Sequence, residues 1–319
     1  MMRNILLTIE YDGTNFSGWQ RQPGQRTVQG ELERVLSVLC GQEIALSGTS
    51  RTDAGVHAYG QRASFKGDFG IPTERIAIAA NNLLSGEGQF AVGDVRILKA
   101  EEMPEDFHAR FNAAGKKYIY RIYNSEEPDI MNRNHCYWIS RPLDIESMKE
   151  AAFYLTGEHD FLAFMASGGN VPESTVRIIY SAKLKEYKLN QLTGFKEDLT
   201  DYRVKCKEDR PEHHATEKAN RLCYSMKSNE NSRDAGKGKR IRDSLIEFEI
   251  AGNGFLYNMV RIITGTLVDI GLGKIKPYEM RDIIQSKDRR QAGHTAPPQG
   301  LYLAEVYFDT EKMHQNCSK

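Results

Sequence analysis

Residues 3–10 alternate apolar and polar side chains closely enough for a β-strand. Residues 27–40 switch to helical spacing, with Val28, Leu32, Val35, Leu36 and Leu39 on one stripe. Thr27 stands where an N-cap is wanted and Gly41 where the helix should stop. Strands over about 43–50 and 58–66, a helix over 72–84 and a strand over 90–98 follow, which is the β-α-β-β-α-β order of a ferredoxin-like unit. The second half repeats that order loosely, with strand 116–124, helix 144–156, strands 175–187 and 244–252, helix 254–271 and strand 300–308. A short helix at 277–286 is extra. The pattern predicts an α+β protein of two ferredoxin-like, RRM-like domains, each an antiparallel sheet packed by helices. Glu101-Glu-Met-Pro-Glu-Asp106 interrupts the periodicity, so the domains are expected at 1–106 and 107–310, with a tail at 311–319.

Residues 188–243 break the second repeat. They hold few aliphatic side chains, and 187–243 carries fourteen Lys/Arg against ten Asp/Glu. Such a segment buries too little apolar surface to offset chain entropy, and it is expected to be largely mobile. Lys237-Gly-Lys-Arg-Ile-Arg242 gives it a second reading as an electrostatic arm. Cys206, His213, His214 and Cys223 match no standard zinc-finger spacing, and no metal is expected.

Composition narrows the class. No apolar run approaches the roughly 18 residues of a membrane span, so no membrane association is expected. The opening residues, Met1 to Glu10, read as a strand rather than a signal peptide. Five scattered cysteines without a CxxC pair suggest reduced thiols and a cytoplasmic protein. The net charge is zero, so any nucleic-acid surface must be local, built from residues such as Arg21, Arg26, Arg51, Arg62, Arg110, Lys116 and Lys117.

The chemistry concentrates in Gly48-Thr-Ser-Arg51-Thr-Asp53-Ala-Gly55-Val-His57-Ala58, which follows the apolar run Ile44-Ala45-Leu46. In an extended chain Arg51 and Asp53 project to the same side and can meet, and a guanidinium there lowers the carboxyl pKa. An ionised carboxylate on a turn relieved by glycine can attack an electrophilic carbon or accept a proton. The plainer reading makes Asp53 an Asx-turn residue with Arg51 as its surface partner.

The whole string resembles the central motif of the TruA family of tRNA pseudouridine synthases. Further segments match in family order: Tyr11 to Gln20, Phe107 to Ala113, Lys116 to Tyr120, Gly157 to Phe161, Asn253 to Phe255 with Met259 to Arg261, and Ala296 to Tyr302. The resemblance covers about residues 1–186 and 244–309. Family members join the strands flanking 188–243 by a short hairpin, so that segment is an insertion. Val171-Pro-Glu173 is a second departure, an acid where relatives often carry a base.

The resemblance implies an enzyme that isomerises uridine to pseudouridine at positions 38–40 of the tRNA anticodon stem-loop, in a cleft between two domains of a homodimer. It makes Asp53 the catalytic carboxylate and Tyr118 the platform that stacks on the uracil and helps remove the C5 proton. Arg261 is placed beside Asp53. Arg51 is expected to steady Asp53 and to contact phosphate or fill the gap in the stem. Tyr120, His57, His108 and His159 read as packing or hydrogen-bonding residues, and Trp19 as the anchor of loop 11–26. The isomerisation is redox-neutral, and the chain shows no P-loop, dinucleotide fingerprint or HExxH, so no cofactor is expected. The competing reading is a non-catalytic RNA-binding protein or RNA chaperone with the same two domains. Asp53 argues against it, because a carboxylate beside phosphate repels the ligand. A nucleoside-cleaving glycosidase would usually need a second acid, and the matched motifs supply none.

Overall fold

The computed structural model describes residues 2–85, 92–168, 172–188 and 243–310. Its strands are β1 (Arg3–Tyr11), β2 (Ser47–Gly48), β3 (His57–Gly67), β4 (Val95–Met103), β5 (Gly115–Asn124), β6 (Tyr137–Ile139), β7 (Gly157–Asp160), β8 (Val176–Lys188), β9 (Ser244–Gly252) and β10 (Leu301–Tyr307). Its α-helices are α1 (Val28–Cys40), α2 (Thr73–Leu84), α3 (Ile145–Phe153), α4 (Met259–Gly271) and α5 (Glu279–Ser286).

Local chemistry sets most of these bounds. Thr27 caps α1 by accepting from the Gly30 N–H, and Gly41 ends it in the left-handed conformation at φ 65°. The stripe Val28, Leu32, Val35 and Leu36 is buried, as the spacing predicts. Helix α4 begins at Met259 rather than at 254, because Asn258 sits at φ 59° and breaks the helical run. Apart from Arg261, every α4 residue is buried, so its apolar sequence reflects a core position. Strand β4 runs on through Glu101, Glu102 and Met103, which ladder with β1. The strand expected at 43–50 shrinks to Ser47–Gly48, because the chain beyond it leaves the sheet.

The α+β class stands, and pairing is antiparallel almost throughout. One detail differs: the two expected sheets are a single sheet, ordered β4-β1-β3-β10-β5-β9-β8-β7, with β2 on β3 and β6 on β5. A short parallel pairing of Tyr302 with His57 and Leu303 with Ala58 joins the halves. Helix α2 packs along β4 and against α1, while α3 packs on α4 and β8. Fully buried Tyr120, Phe161, Phe164 and Phe248 fill the C-terminal half of the core. Lys188 pairs directly with Ser244, so β8 and β9 meet where the chain leaves and re-enters the described residues. Cys206, His213, His214 and Cys223, the basic run Lys237–Arg242 and the tail 311–319 lie outside them.

Candidate active site

Between β2 and β3 the motif residues are held by buried polar contacts instead of a ladder. The Thr49 N–H donates to the Arg62 carbonyl at 2.8 Å. Gln61 grips Ser50 from both sides, donating to its carbonyl at 2.8 Å and accepting its N–H at 3.3 Å. The Thr52 carbonyl accepts from Trp19 N–H at 3.0 Å, and its hydroxyl meets the Tyr11 hydroxyl at 2.7 Å. Trp19 is buried and anchors its loop as expected. A turn then closes at Asp53, whose carbonyl accepts from Val56 N–H, with Gly55 at φ 78° where an L side chain would be strained. The backbone on both sides of Asp53 is thus pinned, which fixes where its carboxylate points.

That carboxylate faces Arg261 of α4, with Nη1 3.1 Å from Oδ2. The guanidinium is itself held by Asn258 Oδ1 at 2.7 Å and by the Ala296 carbonyl at 2.8 Å. The left-handed Asn258 that delays α4 is therefore also the residue that aims Arg261. The sequence expectation of an Arg51–Asp53 pair is corrected here. Arg51 is exposed and makes no ion pair among the described residues, because the chain at 49–53 is a pinned loop and not the extended strand that would put the two on one side. The carboxyl pKa differs as well. Burial pushes Asp53 above its ordinary value, and Arg261 offsets this only in part.

Asp53, Arg51, Tyr118 and Arg261 all line one cavity of about 240 Å³, together with Ser50, Arg110, Lys116 and Phe255. Tyr118 of β5 is buried, stands edge-on to Phe255 at 5.1 Å and directs its hydroxyl toward Ser50 at 3.5 Å. Burial pushes that hydroxyl up to about 12, against the Ser50 hydrogen bond and with the Asp53 charge adding to it. Tyr120, on the same face of β5, is fully buried and donates to the Pro297 carbonyl at 2.6 Å, a packing role as expected. Asn258 and Ser50 escape a reading of the sequence for chemistry, and Lys116 is nominated there only as one of seven basic residues for an RNA surface. Its place at the cavity could be read from its position two residues before Tyr118, on the same face of the strand.

His57 faces a different cavity. Its Nε2 donates to the Asn134 carbonyl at 2.9 Å, and its Nδ1 lies 3.1 Å from both the Gly13 N and Asp12 Oδ1. His135 Nε2 lies 3.2 Å from the other Asp12 oxygen, so three ligand-type side chains gather within 4.8 Å. Their atoms are already engaged, since Gly13 N–H faces His57 Nδ1 and Thr14 donates twice to Asp12. His108 and His159 bond to local backbone, at Arg110 N and the Thr156 carbonyl.

The sequence match agrees with this geometry. The family model of the tRNA pseudouridine synthases matches residues 7–112 and 151–309. The chain belongs to that family. It is 42% identical over 307 residues to tRNA pseudouridine synthase A of Ruminiclostridium cellulolyticum, covering 96% of this chain and all of that protein. The same enzyme of Acetivibrio thermocellus is 40% identical and that of Thermoanaerobacter pseudethanolicus 41%, with the same coverage. As a member of this family the chain is an isomerase of tRNA uridine.

Proposed function

We propose that the enzyme converts uridine to pseudouridine at positions 38–40 of the anticodon stem-loop, with Asp53 as the catalytic carboxylate. The observation that carries the reading is convergence. Asp53 from the motif loop, Tyr118 from β5 and Arg261 from α4 meet at one cavity, although they lie far apart in the chain. The target base leaves its stack at a cost of a few kcal/mol and enters this cavity. There the N1–C1′ bond breaks, the base turns, C5 bonds to C1′, the C5 proton leaves and N1 takes up a proton. Asp53 does its part by attack at C1′, addition to C6 or removal of the C2′ proton.

The remaining residues take supporting roles. Arg261 orients the carboxylate and favours its ionised form. Tyr118 is first a stacking platform, a contact worth about 1–3 kcal/mol per base. Its hydroxyl, at about 12, keeps its proton at neutral pH. Arg51, exposed at the cavity mouth, is free to meet a backbone phosphate or to occupy the gap left in the stem. Residues 1–106 and 107–310 act as two domains gripping the RNA. The family resemblance supports a homodimer, and the scattered thiols support a cytoplasmic setting.

The test is to map pseudouridine in unmodified tRNA treated with the wild-type chain and with Asp53→Asn. Pseudouridine at 38–40 with the wild type and none with the variant is the expected result. Modification only at other positions would remove the stem-loop assignment, and an active Asp53→Asn would remove the catalytic one.

A further inference from the structure

Of the seven basic residues that the sequence nominates for RNA, four already have acidic partners within the chain. Arg21 pairs with Glu33 at 3.3 Å, Arg26 with Asp94 at 2.7 Å, Arg62 with Glu101 at 2.9 Å and Lys117 with Glu249 at 2.8 Å. Arg51, Arg110 and Lys116 make no ion pair among the described residues, and all three line the Asp53 cavity.

Lys116 and Lys117 are neighbours on β5, and alternation sends them to opposite faces. Glu249 serves Lys117 and also Lys185 at 2.7 Å. Lys116, half-buried, donates to the Thr49 carbonyl at 3.0 Å, which uses one of the three N–H groups of an ammonium. The charged groups around its cavity are Arg51, Arg110, Arg261 and Asp53, and Asp53 is already engaged by Arg261. Arg177 of β8 also acts on it. Burial first, then the charges of Arg110 and Arg177, hold the Lys116 ammonium down at about 8. A partly desolvated cation among guanidiniums is unfavourable in the free protein. Elsewhere in the sheet Arg62, Lys117 and Arg121 each have an acidic partner. Here it leaves the negative charge to be brought from outside.

We propose that Lys116 and Arg110 form an anion subsite that binds a backbone phosphodiester of the RNA strand carrying the target uridine. The proposal rests on reading the cavity as the place where that uridine reacts. A base entering it brings its flanking phosphates to the cavity wall, where a guanidinium fork and an ammonium point charge suit their oxygens. The phosphate supplies the charge that Lys116 lacks, favours its protonated form and fixes the register of the strand relative to Asp53.

The experiment uses the full chain and an unmodified tRNA transcript, comparing Lys116→Met, Lys116→Arg and, as control, Lys117→Met. Lys116→Met is expected to raise KM and the tRNA Kd roughly 10- to 100-fold, the loss of a charged hydrogen bond. It should also flatten the slope of log Kd against log salt by about 0.7–0.9, with little change in kcat. Its melting temperature should not fall, since relief of a desolvated ammonium offsets the lost bond to the Thr49 carbonyl. Lys116→Arg should keep the salt slope. With the Lys116 ammonium at about 8 in the free protein, wild-type affinity should weaken about fourfold from pH 7 to 8.5, as the competent fraction drops, and Lys116→Arg should lack that dependence. Lys117→Met should leave KM and slope within about twofold, since Lys117 lies outside the cavity and Glu249 keeps Lys185. An unchanged salt slope in Lys116→Met, or a lower melting temperature and kcat with KM intact, would overturn the subsite and make Lys116 a packing residue. Normal turnover by Asp53→Asn would instead overturn the underlying reading of the cavity, whatever Lys116 does.

Discussion

Two aspartates, Asp12 after β1 and Asp53 in the motif loop, sit beside basic side chains, and their carboxyl groups are driven in opposite directions. Asp12, 41% exposed, accepts from the Thr14 N–H and hydroxyl and lies within 3.2 Å of His57 and His135. Burial pushes its pKa up, but the Thr14 bonds and the imidazole charges outweigh this, and it ends below its ordinary value. Asp53, 27% exposed, has a single charged partner in Arg261, and burial wins. The comparison teaches that a nearby cation does not by itself settle a carboxylate's charge state. The number of donors, set against loss of solvent, decides it. Asp12 is stabilised as an ion for structure, whereas Asp53 is left less stable as an ion and more basic, a state suited to a reacting group.

The largest expected difference between the two is catalytic. Asp53→Asn should lower kcat at least about a thousandfold, within the range for a lost acid–base or nucleophilic group, with tRNA affinity nearly intact. Asp12→Asn should stay within about fivefold of wild type, as a residue remote from the reacting atoms. Single-turnover rates and Kd measured side by side check both. Comparable losses in the two variants would erase the distinction.

Arg261→Gln should cost roughly 10- to 100-fold in kcat, since it disorders the carboxylate. Arg261 lowers the Asp53 pKa, so its removal should move the acidic limb of the kcat/KM profile to higher pH. An unmoved limb would mean that the titration belongs to another group.

Tyr118→Phe keeps the ring and loses the weak 3.5 Å bond to Ser50. It should bind tRNA normally and lose roughly tenfold or less in kcat, with Tyr118→Ala losing binding as well. A loss in the phenylalanine variant as deep as that of Asp53→Asn would return the hydroxyl to proton removal.

The smallest effect is on stability, and its sign separates the aspartates. A raised folded-state pKa means that ionised Asp53 costs stability above its unfolded pKa, so Asp53→Asn should melt slightly higher at pH 7. Asp12 has a depressed folded-state pKa. Its contribution is present above the unfolded value near 3.8 and is lost as pH falls through the folded one. Asp12→Asn should therefore melt lower at pH 7, with the gap closing in acid. Thermal melts across pH 3–7 check both signs.

The sequence by itself determined most of the secondary elements and their order, though not the short strands β6 and β7, and the motif that carries the reactive carboxylate. Periodicity, Thr27 and Gly41 are local features, and they act within a few residues of where they stand. The convergence of Asp53, Tyr118 and Arg261 on one cavity was also expected from the matched motifs. Three things were decided only by the tertiary structure. The halves join through a β3–β10 pairing of residues some 245 positions apart, which no local pattern encodes. Asp53 takes Arg261 rather than the nearby Arg51, because Ser50 and Thr52 are pinned to Gln61, Tyr11 and Trp19 and turn the motif out of the extended form. Lys116 and Lys117 were nominated together for RNA, yet Lys117 finds Glu249 and Lys116 a carbonyl beneath a positive cavity. Charge state depends on burial and on partners, and both exist only once distant segments have packed together.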